Sequence, residues 1–271
     1  MIYHSIHIKD KEAFVLPLGD LHIGDKGFTH KSRAKLQEKI DFVKSHKNAY
    51  VIGMGDLINC ATRASKSSPF EQDMNLEEQI ESAVNLFKPI KDKIIGLING
   101  NHENRLTDFI GYSPTISICD RLGVKYLGDS AVIQVGVGVH KLGIKREEPA
   151  LTYVIYMHHT SGGGSTLGGK INRTEKLSQV VVNADLFFGG HSHNIGVNLE
   201  DYYIVDTNSK TISQQTRYIV DCGGYLEYRG YVERGQMQPL PIGSPVVWLK
   251  GTRSGDYTQA QNKQIKVDVN I

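Results

Sequence analysis

The sequence predicts an α/β fold on three observations. Short apolar runs alternate with longer stretches of helical period, the apolar runs end in short polar blocks, and no linker or low-complexity tract divides the chain. Ala13 to Leu18 reads as a strand that ends in GDLHIG. Ser32 to His46 reads as a helix, because Leu36, Ile40 and Val43 fall on one face. Ala49 to Met54 is the next strand and ends in GDLIN, followed by the polar loop ATRASKSSP. A helix from about Leu76 to Ile90 is opened by Asn75 as cap with Glu78 three residues on. Ile94 to Ile98 is a strand ending in NGNHE, and Ala131 to Val137 and Thr152 to Met157 are further strands, the latter ending in HHTSGGG. Lys170 to Asn183 reads as a helix and Asp185 to Phe188 as a short strand ending in GGHSH. The stretch from Gly196 to Ile271, rich in Tyr, Val, Thr and Gly, reads as β ribbons and turns. The expectation is a single domain over 1–271, with a motif core at 13–195 and a β-rich C-terminal extension at 196–271.

Composition limits the function. The 271 residues are 39% hydrophobic and 22% charged, a globular balance, and 31 Lys and Arg against 29 Asp and Glu give +2, which provides no global field for nucleic acid or an anionic membrane. The first residues, MIYHSIHIKDKEAFVL, lack the apolar run of a signal peptide, and no uncharged apolar run reaches the length of a membrane span. Cys60, Cys119 and Cys222 are odd in number and widely spaced, which argues against a disulfide framework or a CxxC metal site. A reducing cytoplasm fits that usage best.

The chemistry sits at the strand ends. Asp20 and His22, Asp56 and Asn59, Asn101 and His102, His158 and His159, and His191 and His193 each follow an apolar strand, where open α/β sheets bind ligands. Six of the eleven histidines fall in these stretches. Imidazoles, carboxylates and an amide oxygen on one edge suit divalent ions such as Mn, Fe, Zn, Co or Ni. Seven or more candidate ligands exceed what one tetrahedral ion takes, whereas two ions sharing a carboxylate use them all. Each residue also has a structural reading: an Asp or Asn after a strand is often a turn or cap, and His4, His7, His30, His46 and His140 read as surface or core residues. Turn chemistry alone does not call for His at six such positions. Strand alternation past YVIYM favours His158 over His159 as the residue of the fourth stretch.

In order and spacing, D20xH22, G55D56xxN59, G100N101H102E103, the histidine at 158 or 159, and G190H191xH193 resemble the calcineurin-like metallophosphoesterases. The resemblance spans residues 20–193 and implies a two-sheet α/β/β/α sandwich. It gives one metal to Asp20, His22 and His193, and the other to Asn101, His191 and the fourth-block histidine, with Asp56 bridging. It further implies two divalent ions, Mn foremost with Fe, Zn, Co, Ni or Mg as alternatives, and attack of a metal-bridging hydroxide on a phosphoester. His102 would assist the leaving group, oriented by Asn59.

Gly164 to Lys170, GSTLGGK, satisfies a phosphate-loop spacing, yet Ile171 offers no hydroxyl for magnesium. It reads as a chance match in a loop whose glycines, with Lys170 and Arg173, would approach a phosphate. Arg63 and Arg105 are placed to do the same, and Lys66 reads as surface charge. The expected function is a dimetal phosphodiesterase whose substrate is a nucleotide or nucleic acid, DNA or RNA; the DLHxG opening at Asp20 to Gly24 is similar to that of the repair exonucleases. The alternatives are a phosphomonoesterase or protein phosphatase, and a metal-loaded scaffold without turnover. Against the scaffold, Asn101 and His102 are both present.

Overall fold

The computed structural model describes residues 1–63, 65, 68–142, 146–161, 166–234, 236, 238–253 and 262–270. In chain order the strands and helices are β1 (Ile2–Ile8), β2 (Glu12–Leu18), α1 (His30–Ser45), β3 (Ala49–Gly53), α2 (Leu76–Phe87), β4 (Ile94–Leu97), α3 (Asn101–Ile110), α4 (Pro114–Leu122) and β5 (Ser130–Val137). A small hairpin, β6 (His140–Leu142) and β7 (Arg146–Glu148), precedes β8 (Leu151–His158), α5 (Leu167–Glu175), β9 (Leu186–Gly189), β10 (Ile195–Asp206), β11 (Thr211–Cys222), the one-turn α6 (Tyr231–Arg234), β12 (Val246–Lys250) and β13 (Ile265–Asp268).

Two sheets pack face to face, one ordered β1-β5-β8-β9-β11-β10 and the other β13-β12-β2-β3-β4. The layer between them is apolar, with Ala131, Ile133, Tyr153, Ile155, Met157 and Val220 from the first sheet against Ala13, Val15, Ile52, Ile95 and Val247 from the second. The outer face of the second sheet carries Leu16, Leu18 and Val51, which pack on Leu36, Ile40 and Val43 of α1, Ile80, Ala83 and Phe87 of α2, and Ile118 and Leu122 of α4. The outer face of the first sheet buries Tyr156, Phe187 and Ile219 under Leu177, in the 3-10 turn after α5. This is the layered α/β/β/α arrangement that the resemblance implies.

Local chemistry sets the helix ends. Asn75 Oδ1 accepts from the Glu78 amide while Glu78 Oε2 accepts from the Asn75 amide, closing the capping box that opens α2. Two readings change. The helix expected over Lys170 to Asn183 starts earlier, at Leu167 with Thr166 as cap, and ends at Glu175 in a 3-10 turn. The sequence reading assigned no strand to the first twelve residues, yet Ile2, Ile6 and Ile8 alternate inward and β1 pairs parallel with β5 at the sheet edge. The region after residue 195 builds into both sheets: β11 pairs with β9, and β12 pairs with β2.

β2, β3 and β4 run parallel, as do β8, β9 and β11. Their carboxyl ends, carrying the five sequence blocks, therefore meet at one edge of the sandwich.

Candidate metal centre

At that edge the side chains of Asp20, His22, Asp56, His102, His159, His191 and His193 converge. Three groups have ligand-capable atoms within 4.8 Å of one another: Asp20, His22 and His193; His22, Asp56 and His102; and Asp56, His159 and His191. Asp56 and His22 each belong to two groups, so the groups form one continuous cluster. Asn101 joins it through Oδ1, which lies 3.1 Å from His159 Nε2.

The backbone is strained where the cluster forms. Nine non-glycine residues have left-handed φ among those described, and five are Asp20, His22, Asp56, His191 and His193. Two more, Cys60 and Thr160, lie immediately beside blocks. This conformation costs about 1–3 kcal/mol per residue, persists only where the surroundings enforce it, and concentrates at functional sites. Asp and His visit it more often than most residues do, but five such residues in one cluster must be held there by their surroundings.

Asp56 occupies the centre. Its Oδ1 accepts from the His102 amide at 2.8 Å, which turns Oδ2 toward His159 Nε2 (3.1 Å), His102 Nε2 (3.8 Å) and His22 Nε2 (3.9 Å). Close approach of the second and third blocks makes this geometry, and it requires Gly100: a Cβ there would lie 2.1 Å from Asp56 N and Oδ1. The loop is held by Glu103, which sequence reasoning quoted but gave no task. Its fully buried carboxylate accepts from the amides of Asp56 (2.9 Å), Leu57 (2.7 Å), Ile58 (3.1 Å) and Gly100 (3.0 Å). Its place three residues beyond the Gly100 cap, at the third position of α3, was the signal available in the sequence.

The fourth block requires a correction. His159, not the favoured His158, joins the cluster. In β8 the odd-numbered Leu151, Tyr153, Ile155 and Met157 face the layer between the sheets, and residue 159 continues on that side. His158 points to the other face, where its Nδ1 accepts from the Thr160 amide at 2.7 Å. The Asn59 reading changes as well. The main-chain oxygen of Asn59 accepts from His102 Nδ1 at 2.5 Å, while its amide nitrogen donates to Gln72 Oε1 at 3.4 Å. Asn59 orients His102 through its backbone rather than its side chain.

The donor set fits divalent cations. His159 Nδ1 donates to the Met54 carbonyl at 2.7 Å, so in the neutral ring Nε2 is a lone-pair donor, and it faces two more, Asn101 Oδ1 and Asp56 Oδ2, each at 3.1 Å. His22 Nε2 and His193 Nε2 face each other at 3.2 Å, and Asp20 Oδ1 is buried without a hydrogen-bond partner among the described residues. The electron pairs that His159, Asn101 and Asp56 aim at one another are satisfied by a cation between them. Burial and neighbouring imidazoles hold rings neutral, as ligation requires, pushing His193 down to about 3 and His191 down to about 4. Burial pushes Asp20 up to about 7. At His159 burial acts downward but Asp56 and Asp20 outweigh it and hold the ring up at about 10, a negative field that a metal ion would satisfy as a proton does.

The basic residues are placed unequally. Arg173 on α5 is near enough to lower His191 and to feel Asp20 and Asp221, whereas Lys170, beside Asp221, is only 7% exposed. Asp221 also binds Thr174 and accepts from Asn194 Nδ2 at 3.0 Å, tying α5 to the residue after His193. Arg105 donates to Ser65 Oγ at 2.7 Å and depresses the buried His102 ring, while Arg63 is exposed in the turn after the second block. Lys66 and the loop residues 162–165, Gly164 among them, lie outside the described residues.

Among solved structures, the chain is similar to the NAD nucleotidase of Haemophilus influenzae, with TM-score 0.36 and 12% identity over 89% of this chain and 47% of that one, about half its length. It is also similar to the calcineurin-like phosphoesterase YfkN from Bacillus subtilis, with TM-score 0.40 and 10% identity over 95% of this chain and 90% of that one. No curated protein matches. The calcineurin-like phosphoesterase family profile matches residues 15–194, which contain all five blocks and the strand ends that bring the cluster together, and the chain belongs to that family.

Proposed function

We propose that this chain is a two-metal phosphodiesterase acting on nucleic acid or nucleotides. Members of the family typically hold two divalent metals and hydrolyse phosphoesters. One observation supports the reading above all: a single buried carboxylate oxygen, Asp56 Oδ2, lies within 3.9 Å of imidazoles from three different blocks. That is the arrangement of a ligand shared between two sites. Asp20, His22 and His193 would hold one cation, Asn101, His159 and His191 the other, and Asp56 both. When bound, two such ions supply Lewis-acid polarisation and charge neutralisation for transfer of a phosphoryl group to water.

The chain's own residues do the rest. The Asn59 carbonyl fixes the His102 tautomer with hydrogen on Nδ1, leaving Nε2 on the Asp56 side to hold a proton for the departing oxygen. The Asp56 carboxylate and the His102 amide are joined, so the proton-bearing ring and the shared ligand keep a fixed relation. Arg173 supplies positive charge beside His191 for a non-bridging phosphate oxygen. The diester preference rests on the DLHIG opening and its likeness to repair exonucleases. All 271 residues are read as one domain, since strands after residue 195 enter both sheets.

The test is to strip purified protein with chelator, reload it with Mn, count ions per chain by elemental analysis, and assay aryl mono- and diesters, cyclic nucleotides, single-stranded and duplex DNA, and RNA. Two ions per chain and diester cleavage that returns with metal are expected. One ion in the active form, or full turnover in chelator, would overturn the two-metal reading, and hydrolysis of monoesters alone would overturn the diester reading.

A further inference from the structure

A second feature of the same edge is a cavity of about 430 Å³ outside the metal cluster, whose lining combines Lys31, Lys35 and Arg229 with the apolar residues Leu240 to Ile242. Its position follows from topology. α1 comes after β2, so its first turns, carrying Lys31 and Lys35, begin at the carboxyl edge of the sheet. The segment with Arg229 follows the carboxyl end of β11, and residues 240–242 lead into β12, which runs antiparallel to β2 and so starts at the same edge. Three segments distant in sequence are thus brought together beside the metal cluster.

The separation is bounded. The Tyr225 amide donates to the Asp20 carbonyl at 2.9 Å, and the Glu227 amide to the Gly27 carbonyl at 3.0 Å, so this strand of loop runs from the cluster to the cavity. Tyr228, in the cavity wall, is three residues beyond Tyr225, a span of at most roughly 11 Å. The cavity has three cations and one carboxylate, Glu227. Lys31 has no ion pair among the described residues, and Lys35 and Arg229 are engaged only in local pairs with Glu38 (2.8 Å) and Glu227 (3.3 Å). The Lys35–Glu38 pair is exposed on both partners and the Arg229 guanidinium on its own side, and such contacts contribute little and yield to a stronger anion. Tyr228 is 41% exposed, which leaves ring surface open beside those charges.

We propose that this cavity is a second anion subsite, which binds a phosphate flanking the scissile bond through Lys31, Lys35 and Arg229 and packs the attached base against Tyr228 and the apolar residues. Cations, an aromatic ring and apolar residues in one lining match the two parts of a nucleotide unit, its phosphate and its base. The proposal rests on the nucleic acid reading of the metal centre. It makes an extended strand the preferred substrate over a small aryl ester, which is too short to reach both places.

The experiment compares the full chain with the Lys31→Gln/Arg229→Gln double variant and with Tyr228→Ala. Binding of a fluorescein-labelled oligo-dT 12-mer is measured by anisotropy in chelator at several salt concentrations, and cleavage of the same 12-mer and kcat/KM for an aryl phosphodiester are measured with Mn. The double variant is expected to bind the 12-mer at least tenfold more weakly. Its log Kd against log salt should flatten by about 1.4, two lost contacts at roughly 0.7 each for a single strand. Tyr228→Ala should weaken binding without changing that slope, and the aryl diester should be cleaved within twofold of wild type by both. If wild type binds and cleaves the 12-mer and the double variant matches it in affinity and slope, the subsite is overturned alone. If wild type neither binds nor cleaves the 12-mer, the nucleic acid reading falls and takes the subsite with it.

Discussion

Glu103→Gln tests the idea that one buried carboxylate sets the metal-binding loops. The substitution keeps size and shape but replaces one oxygen with an NH2 group. Oε1 accepts from the Leu57 and Ile58 amides, and Oε2 from those of Asp56 and Gly100. Whichever way the new amide turns, two buried backbone donors meet a third donor and lose their acceptor. Each orphaned donor costs about 1–3 kcal/mol, and relief of the buried charge offsets part of that, which leaves about 3 kcal/mol. With an unfolding entropy of roughly 2.1 cal/mol/K per residue, a chain of 271 residues has about 0.6 kcal/mol/K, so the melting temperature should fall by about 5 °C. The Asp56 amide is one of the four donors, and displacing Asp56, the ligand proposed to be shared, by about 1 Å should lower kcat on the order of 10²-fold. Calorimetry with reloaded Mn, and kcat on the same preparation, measure both. A melting temperature within about 1 °C of wild type together with unchanged kcat would refute the assignment.

His159→Ala should reduce the metal content to one ion per chain, whereas His158→Ala, on the opposite face of β8, should retain two; elemental analysis of both variants decides between them. His102→Ala should lower kcat by about 10² to 10⁴ with metal content intact, and the loss should shrink for esters with good leaving groups, which need no proton. Equal loss across leaving groups would leave His102 a structural part. Arg173→Ala should raise KM for nucleic acid and flatten its salt dependence, while Lys170→Ala, nearly buried beside Asp221, should mainly lower stability; steady-state kinetics at two salt concentrations and a thermal melt separate the two effects.

The cluster was legible because ligand chemistry is local: a His or Asp just past an apolar run declares itself whatever the rest of the chain does. The choice between His158 and His159 was not, and the reason lies in β8. A strand buried on both faces reads as a continuous apolar run, and YVIYM has no polar residue to mark which face is which. The phase is supplied by Met157 and Tyr153 facing the opposite sheet, a fact of packing between residues far apart in sequence. Asn59 failed for another reason, since its contribution to His102 comes from a carbonyl that every residue possesses. Glu103 lies between these cases. Its capping position was readable, but its reach to Asp56 depends on two loops meeting across Gly100. The left-handed backbone at Asp20, His22, Asp56, His191 and His193 follows the same logic. Glycine would relieve that strain but offers no ligand atom, so a chain that needs the donor at the turn must accept the unfavourable φ and hold it in place. The contacts that hold it, the Gly55, Asp56 and Leu57 carbonyls accepting from the amides of residues 20–23 and Asp20 Oδ2 accepting from the His191 amide, all join separate blocks. Each block is therefore weakly determined alone, and the site becomes rigid only when both sheets have formed around it.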